Sequence, residues 1–476
     1  MYSSQCNVLR WTLYIKETLQ MRDLKLGNNS RVAVMGGGPA GALFGYFLLD
    51  MADRVGTEIH LDIYEPRDFS YPAPLGCNMC GGIISESLVQ HLAMDGINLP
   101  TTLVQRGIDS YVLHMDVGTV CIRTPLDEKR IGAIYRGAGP RGTREMKLSS
   151  FDGHLLSLAV QKGARVLRCR VDEVTWADGR PRVKTHGGSP KEYDLLAVAA
   201  GVNTRALEIF KNINPNYKPP QTTKTAIREY YLGEKIIGEF LGSSMHVFLL
   251  NIPRLEFAAI IPKGDYVTVC LLGEEINEAL LQAFLNAREV KECMPPDWRW
   301  DQPACQCSPR INVQGAVQPF GDRLVFLGDS GVTRLYKDGI GAAYRVAKVA
   351  STTAMFEGVS AENFRKHFWP TCRKMSIDNI TGKVIFLVTR LIQKFRFARQ
   401  AVLRMTIREQ HKTGNPFRMS MVLWDMFTGS EPYKEIFFRT LHPVFLARLG
   451  LDLIVSIWPF TAKLGSSTAM TKSSQQ

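Results

Sequence analysis

No stretch of this 476-residue sequence runs eighteen residues on uncharged apolar side chains. "FLLNIPRLEFAAIIP" carries Arg254 and Glu256, and "LGLDLIVSIWPF" carries Asp452. No transmembrane helix is therefore predicted. Arg10, Lys16, Glu17, Arg22, Asp23 and Lys25 interrupt the amino end, so no apolar core of a secretory leader is expected there. Cysteine is not dense: ten residues, about average for this length, lie scattered from Cys6 to Cys372, without the spacing of a secreted disulfide scaffold. A reducing, cytoplasmic and non-secreted setting follows as the expectation. There is no Cys-x2-Cys-x2-Cys run to hold an iron–sulfur cluster. Acidic residues are in deficit, and the net charge is +13. The excess is local, with thirteen Lys or Arg against only Asp378 and Glu409 between residues 363 and 420.

With 45% hydrophobic and 22% charged residues, the chain can bury a core spread over two or three domains. Near its start, "RVAVMGGGPAGALFGYFLLD" reads as a buried strand, a glycine turn and a helix from Pro39. Gly36, Gly38 and Gly41 fit G-x-G-x-x-G. The first allows a tight turn, the second lets backbone approach a diphosphate, and the third lets helix pack on strand. With Pro39 and Ala40 they would form the helix N-terminus that receives the phosphates. A second strand, "IHLDIYE", ends at Glu65, placed to bind ribose hydroxyls. This half is a dinucleotide site, and by itself it fits NAD or FAD equally.

A second segment, "RLVFLGDSGVTRLYKDGIGAAYRVAKVAS", is a strand ending at Gly328-Asp329, a loop, and a small-residue helix opening at Gly339-Ile340-Gly341. It resembles the flavoproteins with the para-hydroxybenzoate hydroxylase type of fold. The resemblance implies FAD, with Asp329 on the ribityl chain and the helix start facing the flavin pyrimidine edge, where its positive end would stabilise reduced flavin. Two departures stand out. Tyr336 replaces a proline that often precedes the Gly-x-Gly, and Ala200-Gly201 replaces the Asp-Gly pair of the hydroxylases.

Within that superfamily the chain is most similar to geranylgeranyl reductases, through Cys80-Gly81-Gly82 with Ser85 and through Ile261-Pro262-Lys263-Gly264-Asp265. The aromatic rings those enzymes carry before the second motif are missing. The resemblance implies that Gly81 and Gly82 bring backbone near the flavin and that Cys80 lines the reaction cavity as the candidate catalytic proton donor. Cys77 and Cys80 also admit a redox disulfide. A metal is not expected, because the other close pair, Cys305 and Cys307, has one residue between and not the spacing of a zinc site. Arg136, Arg141 and Arg144 share a glycine-rich loop, from which Arg141 can reach the flavin edge or the diphosphate; a solvated loop is the other reading.

The expected class is α/β: a Rossmann-like FAD-binding domain with an inserted antiparallel substrate domain and a helical carboxyl region. Residues 1–30 read as an extension. Residues 31–110, 136–205 and 310–355 build the FAD domain, and 206–309 with 111–135 build the substrate domain. Residues 356–465 form the basic helical region, and 466–476 a disordered tail. The segment "SSFDGHLLSLAVQKG" predicts a helix buried through Phe151, Leu155, Leu158 and Val160. Val384, Val388, Leu391, Phe395, Ala398, Val402 and Met405 predict one stripe of one helix, edged by Lys383, Arg390, Lys394, Arg404 and Arg408. Such a helix suits peripheral contact with an anionic membrane or packing on the protein body; nucleic acid is not expected, since no recognised binding module accompanies the charge. No second glycine fingerprint marks a nicotinamide site, so NAD(P)H is expected only as a transient donor, or a carrier delivers the electrons. The activity expected is reduction of C=C bonds in a long apolar substrate by reduced flavin. The alternatives are an NAD(P)H-dependent flavin monooxygenase, or an electron carrier docking a quinone or protein partner.

Overall fold

The computed structural model describes residues 24–77, 81–124, 130–142, 148–411 and 418–457. Its centre is a six-stranded sheet. Four apolar runs, Leu324–Phe326, Leu195–Val198, Ser30–Met35 and Ile59–Tyr64, lie side by side and parallel, with Arg165–Leu167 at one edge. The short strand Phe320–Gly321 closes the other edge antiparallel. Parallel strands must be covered on both faces, which is why Val32, Ala33, Val34 and Leu195 to Val198 are all buried. The helix Pro39–Arg54 covers one face and packs against the helix Gly339–Thr352, with the Phe47 and Tyr344 rings meeting edge to face at 5.8 Å. Read along the sheet, chain order reverses between Leu195–Val198 and Ser30–Met35. Ligands of doubly wound sheets sit at that switch, outside the carboxyl ends of the strands.

A second sheet of seven strands packs over those carboxyl ends. Its middle is the antiparallel run Ser244–Phe248, Leu255–Lys263 and Tyr266–Gly273, joined in parallel to Ser110–Met115. The strand Leu255–Lys263 is buried at every position, because helices cover one face and the cleft opens under the other.

The helix Phe151–Gln161 forms where expected, capped by the Ser150 hydroxyl accepting from the Gly153 amide. Its buried face is Phe151, Leu155, Leu156 and Ala159, while Val160 is exposed. The predicted single stripe from Val384 to Met405 is also corrected. One helix, Trp369–Lys394, stops at Phe395, and a second, Arg396–Gln410, continues at an angle. No proline or glycine breaks it. The buried Arg399 guanidinium is held instead by the Asp116 carboxylate at 2.5 and 2.8 Å and by the Gln393 carbonyl. Ala398, Val402 and Met405 are therefore buried against the second sheet and its neighbours, while Val384, Val388 and Leu391 face outward.

One buried polar group does not line the cleft. His114 and His246 stack in the second sheet, with His114 Nε2 2.9 Å from His246 Nδ1. The Cys293 sulfur lies 3.4 Å from His114 Nε2. Neutral rings satisfy this network: His246 Nε2 donates to the Leu241 carbonyl, and His114 Nδ1 accepts from the Thr119 hydroxyl. Burial pushes His246 down to about 4. Burial, and then His246, hold His114 well below its ordinary value. Burial, with Glu292 and Glu289, keeps the Cys293 thiol up at about 12. The unfolded chain takes up a histidine proton near pH 6.5 and the folded chain does not, so the contribution is fully present above that pH and is lost as pH falls toward 4. His246 alone accounts for about 3 kcal/mol over that window. Urea melts at pH 7 and pH 4.5 are expected to show the loss, and a His246→Gln variant to show a shallower pH slope; equal slopes would contradict it.

Candidate active site

The carboxyl ends of the four apolar parallel strands all empty into one cleft. After Ser30–Met35 the chain turns at Gly36, whose φ of +108° suits only glycine and where a Cβ would stand 2.4 Å from the Ala199 carbonyl oxygen. Gly38 is extended and Pro39 opens the helix with no acid in its first turn and no side-chain cap, which leaves the helix N-terminus directed at the cleft. A Cβ on Gly41 would lie 1.9 Å from the Gly36 oxygen, so helix and turn touch backbone to backbone. Glu65 follows the strand Ile59–Tyr64 and is buried at the cleft wall. Its carboxylate accepts from the Gly37 amide at 2.8 Å and the Arg67 amide at 2.9 Å. Lone pairs remain on both oxygens for ribose hydroxyls.

The second segment closes onto the first. Gly328 has φ of +57°, and a Cβ there would stand 2.8 Å from the Ala40 Cβ, so residues almost 290 positions apart are in contact. Asp329 lines the same cleft. Asp329 keeps an exposed surface in the cleft, yet the atoms crowded around its carboxyl push it up, and the Arg136 guanidinium opposes that. Gly339 and Ile340 begin the helix at the cleft, and Gly341 makes room for the Asp338 carboxylate, which a Cβ would meet at 2.1 Å. Asp338 accepts from Arg334 at 2.9 Å and Arg345 at 2.6 Å.

Gly36, Gly38, Pro39, Ala40, Glu65, Gly81, Gly82, Gly328, Asp329, Gly339 and Ile340 thus share one cleft, with Gly41 and Gly341 packed just behind it. Arg141 is exposed on its loop and does not line the cleft, whereas Arg67 and Arg136 do. Cys80 and Arg144 fall outside the described residues. The thiol that lines the cleft among the described residues is Cys270, whose sulfur would be 3.9 Å from a Cβ on Gly81. Gly82 has φ of +70° and presses against the Ile134 carbonyl, at 2.1 Å from a would-be Cβ.

Beyond the glycines the cleft becomes apolar. Met245, Phe257, Ala259, Ile261 and Leu272 from the second sheet roof it, and Phe427 of the helix Arg418–Thr428 closes its end. Sequence reasoning missed the two cations at the junction of the polar and apolar halves, Arg334 and Lys337. Lys337 Nζ donates to the carbonyls of Asp425, at 2.9 Å, and Glu431, at 3.1 Å, over the Tyr433 ring. Burial, then the Arg334 charge, pulls Lys337 well below the ordinary lysine range. Its place two residues before the Gly-x-Gly was the available signal. A buried, easily deprotonated amine beside an apolar cavity is equipped to hold or release a proton.

No protein-family model matches the chain, and no curated protein matches it. Solved structures do. The chain is similar to a flavoprotein/dehydrogenase from Cytophaga hutchinsonii, at 14% identity and TM-score 0.59 over 90% of this chain and 100% of that one. It is similar to the halogenase PltM, at 12% identity and TM-score 0.58 over 90% and 92%. It is also similar to the p-nitrophenol 4-monooxygenase PnpA from Pseudomonas putida DLL-E4, at 12% identity and TM-score 0.52 over 84% and 98%. The fold is therefore the α/β fold of these flavoproteins: a Rossmann-like parallel sheet, a separate antiparallel sheet and a helical carboxyl region.

Proposed function

We propose that this chain is an FAD-dependent oxidoreductase acting on an apolar substrate held under the second sheet. The contact between Gly328 and Ala40 carries the reading, because it makes one cleft of the phosphate turn and the acid-bearing turn. The residues present fit the cofactor. Gly36, Gly38, Gly81, Gly82 and Gly328 line the cleft with bare backbone, which lets a dinucleotide approach closely, and PltM, a protein of similar fold, has been solved with FAD. The amino end of the helix Pro39–Arg54 would hold the diphosphate, Glu65 the adenosine ribose, and the cleft-lining Asp329 carboxyl the ribityl hydroxyls. Gly81, Gly82, Gly339 and Ile340 would flank the flavin ring.

When reduced, bound FAD supplies a hydride. The protein contributes the rest. Phe257, Ile261, Leu272 and Phe427 exclude water and orient an apolar chain. Lys337, whose Nζ is held by the Asp425 and Glu431 carbonyls, is the candidate titratable cation beside that cavity. The finer reading, reduction of a C=C bond in an isoprenoid-like substrate, is supported by the apolar lining and by the Cys80-Gly81-Gly82 resemblance. Ala200 lines the cleft and brings no carboxylate to it, which speaks against aromatic hydroxylation. Monooxygenation is kept as the second reading because PnpA shares the fold and bears that name. The decisive experiment takes purified, flavin-coloured protein, reduces it with NAD(P)H or dithionite without oxygen, and offers isoprenoid alkenes. A saturated product formed anaerobically supports the reductase. Hydroxylated product with oxygen consumed in step with NAD(P)H establishes the monooxygenase. Salt-sensitive partner binding without turnover points to a carrier, and a colourless protein that does not take up FAD ends the proposal.

Asp329→Asn gives a graded check of the ribityl assignment. Losing a charge-assisted acceptor costs about 1.5–3 kcal/mol, which is roughly 10- to 100-fold in FAD affinity. Flavin titration of the apoprotein measures it, and unchanged affinity would remove Asp329 from the site.

A further inference from the structure

The helix Trp369–Lys394 has two apolar faces. Met375, Gly382, Phe386 and Gln393 are buried against the body. Ile377, Ile380, Val384, Leu387, Val388 and Leu391 are between 44% and 63% exposed. At roughly 100° per residue they centre about 150° around the helix from Phe386, on the side turned from the protein. An outward face of a helix packed on a water-soluble body is ordinarily polar. Here six large aliphatic side chains occupy it. Lys383, Arg390 and Lys394 border the stripe on one side and Lys374 on the other, all exposed. Arg390 is paired with Glu256 at 2.7 Å, while Lys374, Lys383 and Lys394 have no ion pair among the described residues.

The same helical region has a second apolar outer surface. Helix Pro443–Ile457 buries Phe445 and Asp452 but leaves Leu451, Ile454 and Ile457 more than 60% exposed. With the helix Tyr433–Thr440, from which it is bent by 67°, it reaches the length and apolar character of a span only as a broken pair; among the described residues no single helix is long and apolar enough to cross a membrane. An apolar stripe edged by lysines and set in a segment of strong positive charge is complementary to a surface with an apolar interior and an anionic skin.

We infer that the outer face of helix Trp369–Lys394 seats in the interface of an anionic lipid bilayer. The inner face of the helix connects this seat with the cleft: Phe386 stacks on Phe257 at 6.2 Å, and Phe257 lines the cavity. The acyl region and the apolar end of the cleft are thus separated by about one helix thickness, roughly 10 Å. Docking does not depend on the flavin reading and is measured without turnover.

The test is co-sedimentation of the full-length protein with phosphatidylcholine vesicles, with and without phosphatidylserine, at low and high salt. Binding is expected only with phosphatidylserine and is expected to weaken as salt screens the charge. Lys383→Gln with Lys394→Gln should lower partitioning about 30-fold, at about 1 kcal/mol per lysine. Leu387→Asp with Leu391→Asp should lower it about a hundredfold or more. Circular dichroism melts matching the parent show that both variants fold, and a variant that fails this check is replaced by Leu387→Ser with Leu391→Ser, expected to weaken binding in the same direction. Binding to neutral vesicles that is equally strong and insensitive to salt overturns the charge argument. Failure to bind either vesicle, with an oligomer that the leucine variants dissolve, overturns the proposal in favour of a second copy of the chain on this face.

Discussion

A Gly41→Val variant is expected to purify without flavin and to melt well below the parent protein. The Cβ at this position would lie 1.9 Å from the Gly36 oxygen and 3.0 Å from the Val34 Cγ1. The near obstacle is backbone, held in place by the Gly36 amide donating to the Tyr64 carbonyl at 2.9 Å, so it cannot swing aside as a side chain would. The helix Pro39–Arg54 must retreat from the turn instead. That movement pulls the helix N-terminus away from the phosphate position and separates Ala40 from Gly328, which undoes both halves of the cleft together. Overpacking of this kind costs about 1–3 kcal/mol or more. The loss of the diphosphate cradle is expected to weaken FAD binding by at least a hundredfold, about 3 kcal/mol. Gly45→Ala supplies the control on the same helix, since its Cβ meets the ends of the Ile63 and Leu61 side chains at 3.3 and 3.4 Å and the Ala159 Cβ at an ordinary 3.7 Å. The ratio of flavin to protein absorbance and a thermal melt decide it. A Gly41→Val protein as yellow as the parent would remove the phosphate site from this turn.

The amino-terminal half of the cleft was legible because its constraints are local. A tight turn, a backbone-to-backbone contact and an acid at the end of the next strand each demand a residue type at fixed spacing, and Gly36, Gly41 and Glu65 supply them. Asp329 was reached through resemblance, because nothing local distinguishes its turn from a surface cap. Tertiary anchors were the least visible. The break at Phe395 sits beside Arg399 meeting Asp116, 283 residues earlier in the chain, so periodicity alone ran straight through it. Periodicity also credited Val160 to a buried face, although what covers that helix favours Leu156 and Ala159. The buried trio of His114, His246 and Cys293 comes from three separate elements and shows no motif. Arg141 and Arg136 looked alike in one basic loop, and only Arg136 has a buried carboxylate to hold it at the cleft.

That carboxylate underlies the other large prediction. Asp152 is fully buried in the first turn of the helix Phe151–Gln161 and accepts from Arg136 Nε at 2.7 Å and from its second terminal nitrogen at 2.8 Å. The helix amide at Asp152 and the Ser150 hydroxyl both donate to the Arg136 carbonyl, so the arginine is fixed at backbone and side chain alike. Asp152→Ala removes the bidentate partner of a largely buried guanidinium, a change that typically costs about 3–5 kcal/mol. A second consequence concerns the cofactor. Arg136 already acts on the Asp329 carboxyl, and without Asp152 to orient it the guanidinium is expected to shift toward that group and compete with the ribityl hydroxyls for it. FAD affinity is therefore expected to fall about tenfold beyond any effect of stability, measured by flavin titration under conditions where the variant remains folded. Asp152→Asn keeps one acceptor oxygen and the shape of the side chain, and should lose roughly half as much stability. Replacing both partners, Arg136→Met with Asp152→Leu, tests whether the cost lies in the pair or in the orphaned charge. Recovery of most of the lost stability in the double variant places it in the uncompensated guanidinium. A double variant as unstable as Asp152→Ala would show that the carboxylate holds the helix start and not the arginine, and Arg136 would then lose its place as the positioned cation of the cleft.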